Sequence, residues 1–170
     1  MARLVDQGVT RLTWVPGEDG IADITAPTVD ELEAGVDLTC QMLTTYEVRP
    51  DASDTTNERA VCETANVETP TIANYMGRME LFRDWDATTE QWTTEDVLSA
   101  LAYKDVGYFV RRLGLPAGEA YAAGQQVEVY KFMIDNPQPQ GGTGSGYLKA
   151  TVPLLQQGAY ELAAVVAAGA

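Results

Sequence analysis

Histidine is absent from the 170 residues, and with it goes the side chain best suited to proton transfer near neutral pH and the commonest metal ligand. Ser-His-Asp, Cys-His and HExxH chemistries are therefore closed to the chain. Cysteine is nearly absent: Cys40 and Cys62 supply neither a CxxC pair nor a zinc set, and are expected as buried, reduced thiols on neighbouring strands. Positive charge is scarce. Eleven Lys and Arg face 25 Asp and Glu, a formal net charge of −14, so free duplex DNA would repel the chain, because affinity for phosphate depends on cations displacing counterions. Long apolar runs are missing as well. No stretch approaches a membrane span, and MARLVDQGVTRL has no apolar signal core, so the chain is expected to stay soluble where it is made.

What remains is globular composition, 45% hydrophobic and 21% charged, in a length that suits one domain. Alternation in RLTWVP (11–16) predicts a short strand closed by Pro16-Gly17. Thr28 with Glu31 forms a capping-box pattern for a helix of one or two turns ended by Gly35. In VDLTCQMLTTYEV (36–48) one parity carries Leu38, Cys40, Met42, Tyr46 and Val48 and the other is polar but for Leu43, which predicts one half-buried strand. RPDASDTTNER (49–59) reads as a polar loop whose persistence in a compact domain calls for a partner. Residues 74–84 predict a strand in which Gly77 marks a bulge or a close backbone approach. Thr93 and Asp96 would cap a helix carrying Val97, Leu98, Leu101 and Ala102 on one face. VGYFVRRL (106–113), VEVYKFMI (127–134) and residues 147–155 read as core strands, the last two joined by a Pro/Gly/Ser-rich tongue at 136–146. The fold class expected is mainly β with one helix, an antiparallel sandwich or barrel.

Motifs of chemistry are weak. GGTGSG (141–146) is followed by Tyr147-Leu148 and lacks the Lys and Ser/Thr that a phosphate loop needs. Glu80, Asp84 and Asp86 could pair as carboxylates, but an acidic chain makes such pairs by chance. Asp30, Glu31 and Glu33 are a solvated helix start and lack calcium-loop spacing. Tyr103, Tyr108, Phe109, Tyr121, Tyr130 and Phe132 suit core and interface packing better than a carbohydrate face. No catalytic residue, metal site or cofactor is expected.

Several segments together, AP-T-EL-AG-DL (26–38), the CET-N segment, the F-R-D strand end, GY-V-RR, VEVY-F and GYLKATVP-L, resemble the major tail tube proteins of long, non-contractile phage tails, particularly of siphophages infecting actinobacteria. The resemblance covers most of the chain. It implies a structural virion protein, assembled in the host cytoplasm, in which six copies share an inner β-barrel as a ring and rings stack into a conduit for DNA ejection. It also implies a single domain over 1–170 with an N-terminal arm (about 1–10), a long inter-ring loop (about 49–68) and a C-terminal arm (about 158–170). Ring-stacking candidates in that loop are Arg49, Asp51, Asp54, Asn57, Glu58 and Arg59. Polar strand positions expected toward lumen or solvent are Thr39, Gln41, Thr45, Glu47, Arg78, Glu80, Lys149 and Thr151. The partners implied are other copies of the chain, a tape-measure protein, a tail terminator and a distal tail or baseplate protein. DNA would pass without specific binding, and no membrane is involved. The acidic charge then has two readings, a channel wall that does not hold phosphate or solubility alone. A competing reading is an acidic DNA mimic that inhibits a nucleic-acid enzyme.

Overall fold

Antiparallel pairing dominates the chain, here described from a computed structural model over residues 7–62, 64–92, 97–142 and 146–169. The strands of the main sheet are β1 (Thr10–Pro16), β2 (Val36–Asp37), β3 (Glu47–Asp51), β6 (Asn74–Phe82), β9 (Val106–Leu113), β10 (Gln126–Ile134), β11 (Gln138–Pro139) and β12 (Lys149–Val165). Their order is β2-β1-β9-β10-β12-β6-β3, with β11 added beside β12. Two-residue pairs lie outside it: β4 (Thr55–Thr56) with β5 (Thr69–Pro70), and β7 (Trp85–Asp86) with β8 (Gln91–Trp92). Among the described residues there is one α-helix, α1 (Val29–Glu33), and it starts as its capping box predicts. Glu31 N–H donates to Thr28 Oγ1 at 3.3 Å and Thr28 N–H to Glu31 Oε2 at 2.7 Å.

The sheet coils, so that one face closes on itself and the other is divided. The inward face packs Leu12, Trp14, Phe109, Tyr130, Phe132, Ile134, Met79, Leu81, Val152 and Leu154 into the larger apolar cluster. Gly77 is placed where only hydrogen fits, since a Cβ there would stand 2.6 Å from Phe132 Cζ; the expected close approach is to an aromatic ring. The ends of the sheet are stitched across. Leu38 N–H donates to Leu12 O at 2.9 Å and Phe82 N–H to Gln41 O at 2.9 Å, while Arg111 on β9 donates to the Val48 carbonyl of β3 at 3.2 Å.

Among the described residues the outward face is covered over β1, β9 and one end of β10. There Val15, Tyr108, Val110, Val127 and Val129 pack with Ile21, Leu32, Tyr121, Ala164 and Val166 in a second cluster. Both alternating positions of these strands are therefore buried, as in Leu12, Thr13, Trp14 and Val15. β12 crosses from the bare half to the covered half. Its register against β10 shifts twice, between Val127 and Val129 and between Tyr130 and Phe132, and Gly158 in the second irregularity has φ +103°. Extra residues on one strand bend it and increase twist.

Three expectations are corrected. Residues 36–48 do not form one strand: β2 ends at Asp37, and a turn carries the chain to β3. Leu38 and Met42 are buried by a turn in which Met42 N–H donates to Leu38 O at 2.9 Å; positions four apart satisfy both strand parity and a helical turn, so alternation could not separate them. The helix expected after residue 93 is, in its described part, a single 3-10 turn (Val97–Ala100), whose Val97 joins Leu101 in the inward cluster; the proposed caps Thr93 and Asp96 lie outside the described residues. Before it, Asp86 Oδ1 accepts from Thr88 N–H at 2.7 Å and turns the chain into the β7–β8 hairpin, a local alternative to helix. Finally, Cys40 and Cys62 are exposed free thiols, because each sits in a connection and not on a strand.

Candidate functional site

Among the described residues no second apolar layer packs on the outward face of β3, β6 and the first half of β12, and register brings the polar candidates together there. Glu47 lies opposite Arg78, and Arg78 opposite Pro153. In adjacent rows, Thr151 lies opposite Glu80 and Gln138, and Lys149 opposite Phe82. Arg78 stands 3.3 Å from Glu80 Oε1 and 3.8 Å from Glu47 Oε2, Thr45 donates to Glu80, and Gln140 donates to Thr151 Oγ1 at 3.0 Å. Six of the eight candidates thus form one patch. Thr39 and Gln41 do not join it: both are in the turn after β2. Thr39 Oγ1 accepts from Leu12 N–H at 3.1 Å and its N–H donates to Asp37 Oδ1 at 2.8 Å, so it ties down β1.

The patch holds Glu47 and Glu80 against Arg78 and Lys149, a balance of charge and no acidic wall. Acid is concentrated elsewhere: residues 17–46 contain seven Asp and Glu and no Lys or Arg, and this segment supplies α1 and part of the cover of the other half. Within it, hydrogen bonds hold carboxylates ionised. Burial pushes the Glu31 carboxyl up, but backbone N–H groups of Thr28 and Ala22 outweigh it and leave its pKa below the ordinary value. At the margin of the inward face, burial opposes the charge of Arg111, yet Tyr46 and Glu128 raise its pKa above the ordinary value. Burial, then the Glu128 charge, pushes the Tyr130 phenol well above its own.

An arm extends β3 and β6 beyond the sheet. Past the pair Asp51 and Asn74, Asp54 N–H donates to Ile72 O at 2.9 Å and Thr71 N–H to Asp54 O at 2.7 Å, and β4–β5 continues the ladder. Arg49 and Asp51 of the stacking candidates belong to β3, while Asp54, Asn57, Glu58 and Arg59 belong to this arm; Arg59 reaches Asn66 Oδ1 at 3.4 Å. Val61, Val67 and Ile72 on it are exposed. The C-terminal segment expected as an arm packs on its own chain instead. Residues up to Val165 are in β12, Ala164 and Val166 are buried, and Ala167 exchanges backbone bonds with Pro27 and Val29 at 2.8 and 3.1 Å. Of the N-terminal arm, residues 1–6 lie outside the described residues. The Thr143, Gly144 and Ser145 part of the glycine-rich tongue also lies outside them.

Sequence reasoning missed the far end of β6, where Phe82 and Tyr147 meet edge to face at 5.6 Å and Trp85 is half exposed. The bracketing tryptophans of WDATTEQW were the available signal. Of the carboxylate pairs, Glu80 is taken up by Arg78 and Thr45, and among the described residues no three Cys, Asp or Glu side chains converge to hold a metal ion.

The fold is similar to that of a chain in the cryo-EM structure of the anti-feeding prophage baseplate, 6-fold symmetrised, with a TM-score of 0.54 at 12% identity over 95% of this chain and 96% of that one. No curated protein matches the chain significantly. The model of a family described as phage tail tube protein matches residues 1–169. A chain without histidine, built as a coiled antiparallel sheet with a bare polar face and matched by that model nearly from end to end, belongs to the phage tail tube protein family, whose role in the virion tail is structural and not enzymatic.

Proposed function

We propose that six copies close into a ring and that rings stack into the tube of a siphophage tail, of the kind carried by phages of actinobacteria, through which DNA leaves on infection. The observation that carries this reading is the division of the outward sheet face: one half is capped by its own chain, whereas the β3-β6-β12 half is polar and bare, with β3 at one edge and β11 at the other. Exposed edges are aggregation hazards unless they are used or blunted. Pro50 in β3 and Pro139 in β11 lack N–H donors, which allows pairing only in registers that spare those positions. Ring closure through these edges joins the bare faces into a barrel whose wall carries Glu47, Arg78, Glu80, Lys149 and Thr151. Its balanced charge offers phosphates no basic track to bind.

The six-fold symmetrised baseplate containing the structural neighbour supports a ring of six. The lumen would enclose a tape-measure protein during assembly in the host cytoplasm. The tube would meet a terminator at one end and a distal tail or baseplate protein at the other. Negative-stain electron microscopy of the concentrated protein, with its sedimentation profile, tests the reading. Six-fold rings or tubes with a central hole are expected. Particles no larger than a dimer under all conditions would overturn it and favour the acidic DNA mimic.

A further inference from the structure

β3 ends the sheet order, and the backbone groups on its open edge can be assigned one by one. Tyr75 lies opposite Pro50, but its N–H donates to Gln156 Oε1 at 3.0 Å. Pro50 has no N–H to return, so this pair exchanges no backbone bonds. Bonded and non-bonded pairs alternate along an antiparallel ladder, so Val48 and Gly77, two positions away, exchange none either. Val48 and Pro50 therefore turn their backbone groups away from β6, toward the open edge. Donors on that edge are nearly used up. Tyr46 N–H goes to Leu43 O at 3.2 Å, Ala52 N–H goes to Asp51 Oδ1 at 2.9 Å, and Pro50 has none. Among the described residues of this edge, Val48 is the position that offers an incoming strand both a donor and an acceptor.

That acceptor is occupied. Arg111 Nη1 reaches across the coil from β9 and donates to Val48 O at 3.2 Å and to Tyr46 Oη at 3.4 Å. The rest of the guanidinium holds Glu128 of β10: Nε donates to Oε2 at 2.9 Å, and Nη2 donates to the same oxygen. Tyr130 Oη donates to it as well, at 3.2 Å. The Arg111 and Glu128 side chains are 18% and 21% exposed, so water reaches the group. The Val48 bond can therefore break while the ion pair with Glu128 persists.

We infer that Arg111 is an autoinhibitory latch on the β3 edge: in the free subunit its guanidinium occupies the Val48 carbonyl, and strand pairing with a second copy requires its release. The inference rests on the proposed ring closure through β3 and adds the contact that governs it. A side-chain cation on an edge carbonyl blunts that edge against indiscriminate strand addition, and a charge-assisted bond is stronger than a neutral one. On closure, Val48 O accepts an N–H from the incoming strand in place of Arg111 Nη1. The guanidinium keeps Glu128 and Tyr46, so its charge is not left without a partner. Each copy in a ring gives up one such bond, and the latch therefore sets the concentration at which rings begin to form.

Sedimentation velocity of the full chain over a concentration series, with negative-stain images of each sample, tests the latch. Arg111→Met removes it, and Arg111→Lys keeps a charge beside Glu128 without the fork that spans two acceptors. Both should form rings at a concentration about ten-fold or more below the wild-type onset. Glu128→Gln should move the onset upward, because a guanidinium released from Val48 then has no carboxylate to hold. A merely structural ion pair gives a different pattern: breaking it from either side weakens the fold, so all three variants would shift together. Denaturant unfolding checks that each variant is folded, and where Arg111→Met is not, Arg111→Lys decides. Wild-type rings with an onset that the Arg111 variants do not lower, or that all three variants move in one direction, overturn the latch and leave the tube reading standing. Absence of rings from the wild type and from every variant overturns both.

Discussion

The two halves of the outward sheet face are built from neighbouring strands of one sheet, yet they have opposite fates. Over β1 and β9, alternate residues on the outside are Val15, Tyr108 and Val110, and the chain covers them with α1 and two long connections. Over β3 and β6 the outside residues are Glu47, Arg78 and Glu80, joined to one another and to Thr45, and among the described residues no apolar layer packs over them. The inside is equally apolar in both halves. The difference teaches that burial on both faces of the covered half holds the fold, whereas in the other half only the inner face does so and the outer one presents polar side chains.

Perturbations should therefore fall unequally on the two halves. Leu32→Ala removes a fully buried side chain from the covered half and should cost about 2–5 kcal/mol in denaturant unfolding of the unassembled protein; a cost below about 1 kcal/mol would mean that the cover is dispensable to the fold. Gly77→Ala strikes the inward side of the bare half, where the new Cβ meets Phe132, and should cost about 1–3 kcal/mol. Near-neutral behaviour there would show that the interior beneath the bare face is looser than that beneath the covered one.

Smaller effects are expected at the cap of α1. Thr28→Ala should cost about 1 kcal/mol. Its partner Glu31 has a folded pKa below the ordinary 4.5, so its contribution is fully present above that pH and is lost as pH falls through the depressed folded value. Glu31→Gln should therefore flatten the acid limb of the stability profile, and an unchanged limb would remove this carboxylate from the account. Smallest of all, Arg78→Ala should change monomer stability by no more than about 0.5 kcal/mol while altering ring or tube yield under the electron microscope. A loss above about 2 kcal/mol in the monomer would break the comparison, since a bare surface ion pair cannot supply it.

Legibility followed the same division. VGYFVRRL, VEVYKFMI and NYMGRMELF announced their strands through β-branched and aromatic residues between turn signals, and Thr28 with Glu31 announced α1. Residues 36–48 misled because Leu38 and Met42 fit a strand and a turn alike, and residues 97–102 because Val97, Leu98, Leu101 and Ala102, two pairs at helical spacing, cannot distinguish a 3-10 turn from a longer helix. The polar patch was half legible: Thr45, Glu47, Arg78, Glu80, Lys149 and Thr151 could be chosen by parity, but their meeting depended on pairing register between distant segments. The aromatic end was missed because Phe82, Trp85 and Tyr147 are apolar residues with no periodicity linking them.

By itself the sequence determined that this chain has no histidine-based chemistry, folds through alternating apolar strands and carries a strong excess of negative charge, since these follow from residue types and local periods. Only the tertiary structure decided which outward positions are covered, where the two cysteines emerge, that residues 158–165 extend a strand, and that the arm and the aromatic rings occupy opposite ends of β6. Those outcomes depend on non-local pairing, in which each strand's neighbours are chosen by burial across the whole sheet and not by the residues beside it in the chain.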